Sequence, residues 1–254
     1  MNSLKIINVT PQNVKKETLF CIKDLKKPGF ESKRKWFEKR FKEGLRLKIL
    51  KDKNKKMLGF IEYIPASKAW RPVNADDYMF IHCMVVYSKK DRNRGYGILL
   101  INEAEKEAKT QKMAGLCTMT SKGAWVANKT IFEKHGFTEV DAKGRFELLS
   151  NKWDNNASNP KLIDWTLQQK NYDGWHLVYA DQCPWHEKSV FDLLNTAMDY
   201  GIDLKLTKIE TVEAAKNAPS GFGVFSLLHN GILIEDHYIS ATRFKNILKK
   251  EHKN

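Results

Sequence analysis

The strongest constraint on this chain is the run Tyr78 to Tyr87, which is nearly continuous in apolar side chains. It passes without a break into Ser88-Lys-Lys-Asp-Arg-Asn-Arg-Gly-Tyr-Gly97 and then into a helical pattern from Ile98 to about Lys112. A strand that is apolar on both faces belongs in the middle of a sheet. A basic, glycine-containing turn that leaves such a strand and opens a helix presents unpaired backbone N–H groups at the positive end of the helix dipole. That arrangement binds phosphate. Gly95 and Gly97 remove side chains where backbone must approach an anion closely, and Arg92 and Arg94 add charge. The spacing excludes a Walker loop, which needs a Lys-Ser/Thr pair, and it excludes the GxGxxG of a dinucleotide site.

Charge supports an anionic partner for this part of the chain. Residues 1–150 carry 32 basic and 17 acidic side chains, a net of +15, whereas residues 151–254 carry 12 and 13, a net of −1. Such an excess suits nucleic acid, a membrane surface or a small polyphosphate ligand. The densest basic run, Lys33 to Lys42, is interleaved with Trp36, Phe37 and Phe41 and is expected to be an amphipathic helix with a solvated charged face. No apolar run approaches the roughly 20 residues of a membrane helix, and Met1 to Thr10 lacks the features of a signal peptide. The expected setting is therefore the cytosol. Cys21, Cys83, Cys117 and Cys183 lie tens of residues apart, which gives no zinc cage and no disulfide framework, and no metal site is expected.

With 254 residues the chain is read as two domains, joined by a polar, turn-rich linker. The first, residues 1–150, reads as strand 4–9, helix 11–24, helix 31–43, strands 45–50 and 57–64, the central strand 78–87, helix 98–112, strand 116–120, helix 125–135 and a hairpin across 141–144. The linker region is 151–172 and the second domain 173–254. The expected class is α/β (α+β), a mixed sheet flanked by helices followed by a smaller α/β domain.

Arg92-x-x-Gly95-x-Gly97 resembles the Arg/Gln-x-x-Gly-x-Gly/Ala signature of the GNAT (GCN5-related) N-acetyltransferases. Ile131-Phe-Glu-Lys-His-Gly-Phe137 is similar to that family's second motif. The element order over residues 4–149 resembles the family as well. The resemblance implies acetyl-CoA as cosubstrate, with the pantetheine arm in a splay between strands 78–87 and 116–120. Backbone groups of Met84, Val85 and Val86 would meet the pantetheine amides, and the loop Arg92, Asn93, Arg94, Gly95, Tyr96 and Gly97 would hold the pyrophosphate. It also implies direct attack of an acceptor amine on the thioester in a ternary complex, with a backbone N–H near Val86 as oxyanion donor. Glu62 and His82 are the candidate general bases, or else structural side chains of the sheet. The acceptor would be a primary amine on a small molecule or a protein. A small polyanion accounts for the basic domain without nucleic acid, and no aromatic-basic platform points to one.

The chain departs from the family pattern in places. Phe132 stands where many members carry a tyrosine that protonates the departing thiolate, and a phenyl ring donates no proton. Tyr87, Cys117 or water would have to serve. Trp125 replaces a frequent asparagine, with Asn128 nearby as a shifted substitute, and Asn128 and Phe132 are counted among the CoA-binding candidates.

In the second domain the order βαβαββα is similar to thioredoxins and glutaredoxins, and Cys183-Pro-Trp-His186 sits where glutaredoxins have Cys-Pro-Tyr-Cys. A cysteine at a helix N-terminus favours the thiolate. His186 replaces the resolving cysteine and Gly223 takes the slot of the family's cis-proline, which excludes a dithiol cycle within the domain. Cys183 then acts as a single catalytic thiol, or the domain serves substrate or protein contact. The pairing of the two domains resembles the bacterial YoaP-type acetyltransferases.

Overall fold

The computed structural model describes residues 4–251 except 89, 91–93 and 124. The chain is mixed α/β and packs as two units. The first comprises Met1–Leu25, Phe37–Ala69 and Val73–Ile163, and the second comprises Lys26–Trp36, Trp70–Pro72 and Asp164–Asn254. Among the described residues no helix is long and apolar enough to cross a membrane.

The first unit is built on a seven-stranded sheet in the order β1-β2-β3-β5-β6-β8-β7. Its strands are β1 Lys5–Val9, β2 Arg46–Lys51, β3 Met57–Pro65, β5 Tyr78–Val86, β6 Gly115–Ser121, β7 Thr138–Lys143 and β8 Phe146–Lys152. Neighbours run antiparallel except β5 and β6, which are parallel and are joined by the crossover helix α3, Tyr96–Thr110. The short strands β4, Val73–Asn74, and β9, Lys161–Leu162, pair separately. Helix α3 lays Leu100, Ile101 and Ala104 on one face of the sheet, against Ile61, Tyr63, Ile81 and Met84. Polar contacts pin it over β2 and β3: Tyr63 donates to Glu107 at 2.7 Å, and Lys48 pairs with Glu103 at 2.8 Å.

Two expected helices are shorter than their sequence pattern. The first, α1, covers only Val14–Glu17 because Thr18 and Phe20 take left-handed backbone with φ of 66° and 59°. The helix expected over 125–135 shrinks to α4, Thr130–Glu133, with Trp125 at φ 67° upstream. Helix α2, Phe30–Phe41, does bury Trp36 and Phe37, but its charged face is not wholly solvated, since Lys33 and Arg40 are buried too. Glycine is required at Gly115, where a Cβ would lie 2.6 Å from the Asn151 carbonyl oxygen.

The second unit holds a four-stranded sheet in the order β11-β10-β12-β13, with β10 Trp175–Tyr179, β11 Leu204–Lys208, β12 Phe225–His229 and β13 Ile232–Glu235. β10 and β11 are parallel and the other pairs antiparallel. Helices α5 (Thr166–Gln169), α6 (Trp185–Asp199), α7 (Val212–Lys216) and α8 (Ala241–Glu251) complete it. The β12–β13 turn is Asn230-Gly231, both at positive φ, the geometry a tight hairpin demands.

Candidate functional site

The parallel β5–β6 ladder is short. It runs from Tyr78 opposite Gly115 to Ile81 opposite Thr118 and ends there, although β5 continues to Val86 and β6 to Ser121. At the fork the Thr118 hydroxyl donates to the Ile81 carbonyl at 3.0 Å. On its other side β5 remains paired with β3, and the Tyr87 N–H donates to the Leu58 carbonyl at 2.9 Å. Antiparallel ladders alternate the direction of successive backbone groups. With Tyr87 directed at β3, Val85 is directed there too, while Met84 and Val86 present N–H and C=O toward the fork.

A bulge lies at the same level. Glu62 pairs with Cys83 and Tyr63 with Ile81, so His82 is the extra residue of β5. Bulges re-aim side chains and end regular pairing. Here His82 Nδ1 comes to 3.5 Å from Glu62 Oε1, with side chains 0% and 3% exposed, and the ring packs against Phe80 at 5.5 Å. Both candidate bases thus meet at one point, on the sheet face opposite α3.

At the other end of the fork, α3 begins at Gly95, whose φ of 77° needs a residue without Cβ strain and around which a Cβ would meet nothing within 4 Å. Among the described residues no side chain caps the helix, and a hydrogen bond runs from Leu99 N–H to the Gly95 carbonyl. Gly97 lets the first turn close on α4, since a Cβ there would lie 2.6 Å from Ile131 Cδ1. Beside this turn is a cleft of about 310 Å³ lined by Leu4, Asp52, Lys56, Leu58, Lys90, Arg94 and Tyr96. Arg94 also lies over the Tyr96 ring at 5.4 Å. Arg92 and Asn93 lie outside the described residues. Lys56 and Lys90 were not singled out in the sequence, because surface lysines in a basic domain carry no positional signal.

Phe132 is fully buried and stacks edge-on against Phe137 at 5.3 Å, as part of the core beneath α3. The Asn128 side-chain oxygen is occupied in starting α4, accepting from the Thr130 N–H at 3.0 Å and the Thr130 hydroxyl at 2.6 Å. Cys117 is buried inside the paired part of β6, where burial pushes its thiol pKa up and keeps it protonated. Tyr87 is 61% exposed.

In the second unit, half-buried Cys183 precedes Pro184, the N-cap residue of α6. His186 is buried, its Nδ1 2.8 Å from the Ala180 carbonyl and its ring against Phe222 and Phe225. Burial, with the charges of Arg71 and Lys33 added, pushes its pKa down to about 4, so the imidazole is neutral and Nδ1–H donates. Arg71 is itself buried and donates to the Gln182 side chain at 2.6 Å and the Trp70 carbonyl at 2.7 Å. No local pattern marks Lys33 and Arg71 as part of the surroundings of α6. Among the described residues no group of three or more His, Cys, Asp or Glu is gathered to hold a metal.

Comparison with known proteins gives matches to both parts. Residues 203–246 match a family described as YoaP-like. Over 248 residues the chain is 27% identical to a Bacillus subtilis (strain 168) protein named "Uncharacterized N-acetyltransferase YoaP", covering 95% of this chain and 97% of that one. Among solved structures, an acetyltransferase of the GNAT family from Staphylococcus aureus Mu50 is 15% identical with a TM-score of 0.44, covering 59% of this chain and 99% of that one. A PaiA N-acetyltransferase from Thermoplasma acidophilum in complex with coenzyme A is 14% identical with a TM-score of 0.40, again covering 59% and 99%.

Proposed function

We propose that the chain is a GNAT-type N-acetyltransferase that moves an acetyl group from acetyl-CoA to a primary amine. The observation that carries this reading is the fork itself: the β5–β6 ladder stops at Ile81 and Thr118 while both strands run on. The likeness in sequence to a protein named as an N-acetyltransferase, along nearly its whole length, supports it. Met84 and Val86 would offer backbone hydrogen bonds to the two amides of a pantetheine arm, in the manner of a missing strand. The first turn of α3, with Arg94 and the nearby Lys56 and Lys90, would hold the pyrophosphate and its neighbouring phosphate.

Acetyl-CoA supplies an activated thioester, so the protein needs to position the amine, take its proton and stabilise an oxyanion. Glu62 and His82 form the base in this reading: one accepts the amine's proton and the other holds it in place. A backbone N–H near Val86, facing the fork and left free by the pantetheine amides, would stabilise the oxyanion. Phe132 donates nothing to the leaving thiolate, and Cys117 lies in the closed part of the ladder, which leaves the Tyr87 hydroxyl or water for that proton. The test is release of CoA thiol from acetyl-CoA with amines present. Thiol release that does not depend on added amine would contradict transfer.

The second unit we read as a thioredoxin-like domain, on its strand order and on Cys183 before α6. This carries a second reading, in which Cys183 performs thiol chemistry or marks a protein-binding face. Loss of activity in Cys183→Ser with acetyl-CoA binding intact would favour it over acetyl transfer.

A further inference from the structure

One stripe of side chains on the sheet face opposite α3 grades from solvent to the buried pair. Along β5 and the residue after it, Tyr87 is 61% exposed, Val85 39%, Cys83 partly buried and His82 8%, ending at Glu62, 2% exposed. Tyr87, Val85 and Cys83 share a face because side chains alternate along a strand. The wall beside the stripe is aromatic. Phe20 packs on Phe60 at 4.5 Å between ring centroids and meets the Tyr87 ring edge-on at 6.0 Å.

Phe20 is held there by unusual backbone. Thr18 and Phe20, neither of them glycine, both take left-handed φ and bracket the buried Leu19. Such conformations are strained and persist where the surroundings fix them, often at ligand-facing positions. The same segment places Lys23 Nζ 4.8 Å from the centre of the Tyr87 ring. The mouth of the stripe is thus a flat aromatic surface with a cation beside it, in a part of the chain whose net charge is +15 over residues 1–150.

We propose that this stripe is the acceptor channel, and that it selects a primary amine carried on a flat, apolar body with an anionic or neutral group, against polycations. The proposal rests on the acetyltransferase reading and adds the acceptor class. The Tyr87 ring and Val85 would take the flat body, and Lys23 would attract its anionic group. The body's amine would then point inward to Glu62 and His82. A polyamine would meet Lys23 and the positive field before it reached a carboxylate.

The test compares 4-(aminomethyl)benzoate, benzylamine and spermidine as acceptors with acetyl-CoA, using wild type, Tyr87→Phe, Tyr87→Ala and Lys23→Glu, with acetyl-CoA affinity measured separately on each protein. The expected order by kcat/KM is 4-(aminomethyl)benzoate, then benzylamine, with spermidine at least tenfold lower. Tyr87→Ala should raise KM for the aromatic amines by about tenfold, the value of one aromatic contact. Tyr87→Phe should leave that KM unchanged, with any role of the hydroxyl in protonating the thiolate read in kcat instead, which separates the ring from its hydroxyl. Lys23→Glu should narrow the gap between spermidine and 4-(aminomethyl)benzoate. If acetyl-CoA binds but spermidine is the preferred acceptor, or the aromatic amines are acetylated and Tyr87→Ala leaves KM unmoved, the proposal fails alone. If acetyl-CoA does not bind, the acetyltransferase reading fails and takes the proposal with it.

Discussion

Glu62 Oε1 and His82 Nδ1 lie 3.5 Å apart at the bulge, where β5 carries one residue more than β3. The same irregularity sits one residue beyond the last paired position of β5 with β6, so the fork and the buried pair occur together. Glu62→Gln should lower kcat by roughly 10²–10⁴-fold, the usual contribution of a positioned base. Acetyl-CoA affinity, measured by calorimetry, should stay within twofold of wild type. Lost affinity would place Glu62 in the scaffold of the cofactor site instead.

Phe132 is a core residue at the position where a proton donor was sought. Phe132→Ala should destabilise the first unit by about 3–5 kcal/mol, as large-to-small changes of buried aromatics do. Thermal unfolding followed by circular dichroism reads this directly. A variant with unchanged melting and lost activity would assign Phe132 a role in contact with substrate that its packing against Phe137 does not suggest.

Glycines at close backbone approaches should be unequal in their tolerance of alanine. At Gly115 a Cβ would press on backbone, the Asn151 carbonyl at 2.6 Å, whereas at Gly97 it would press on the mobile end of Ile131 at a similar distance. Gly115→Ala should therefore lower the melting temperature more than Gly97→Ala. Equal melting temperatures would mean that β6 and β8 can move apart at little cost.

How much of this was readable in advance varies by element. The β5-to-α3 junction was legible because a two-faced apolar strand and a glycine turn each have one physical explanation. Glu62 and His82 were legible as types, but their meeting was not: a bulge is set by how two strands register, and nothing in either strand's composition marks it. The length of α1 was over-read for a similar reason. Thr18 and Phe20 disfavour left-handed backbone, so no local preference announces that tertiary packing places them there. Lys33 and Arg71 lie far in sequence from α6, and only the folded second unit brings their charges to His186.

His186 gives the second unit a pH signature. Its pKa is pushed from 6.5 down to about 4 by burial, so the folded protein resists a proton that the unfolded chain accepts. A depressed pKa contributes stability above the unfolded value that is lost as pH falls, here between about pH 6.5 and pH 4, and the loss is on the order of 3 kcal/mol. Urea unfolding across that range should show the decline, and His186→Leu should flatten it. A decline of the same size in the variant would move the cause to other groups.

The fork and the turn at Gly95 are the proposed seat of acetyl-CoA. Calorimetric titration of acetyl-CoA into the full-length protein, beside Gly95→Glu, tests this most directly. The account predicts binding of about micromolar affinity in wild type, near −8 kcal/mol. It also predicts none in the variant, where a carboxylate and a strained φ occupy the turn. Absence of binding in wild type, or undiminished binding in Gly95→Glu, would contradict it.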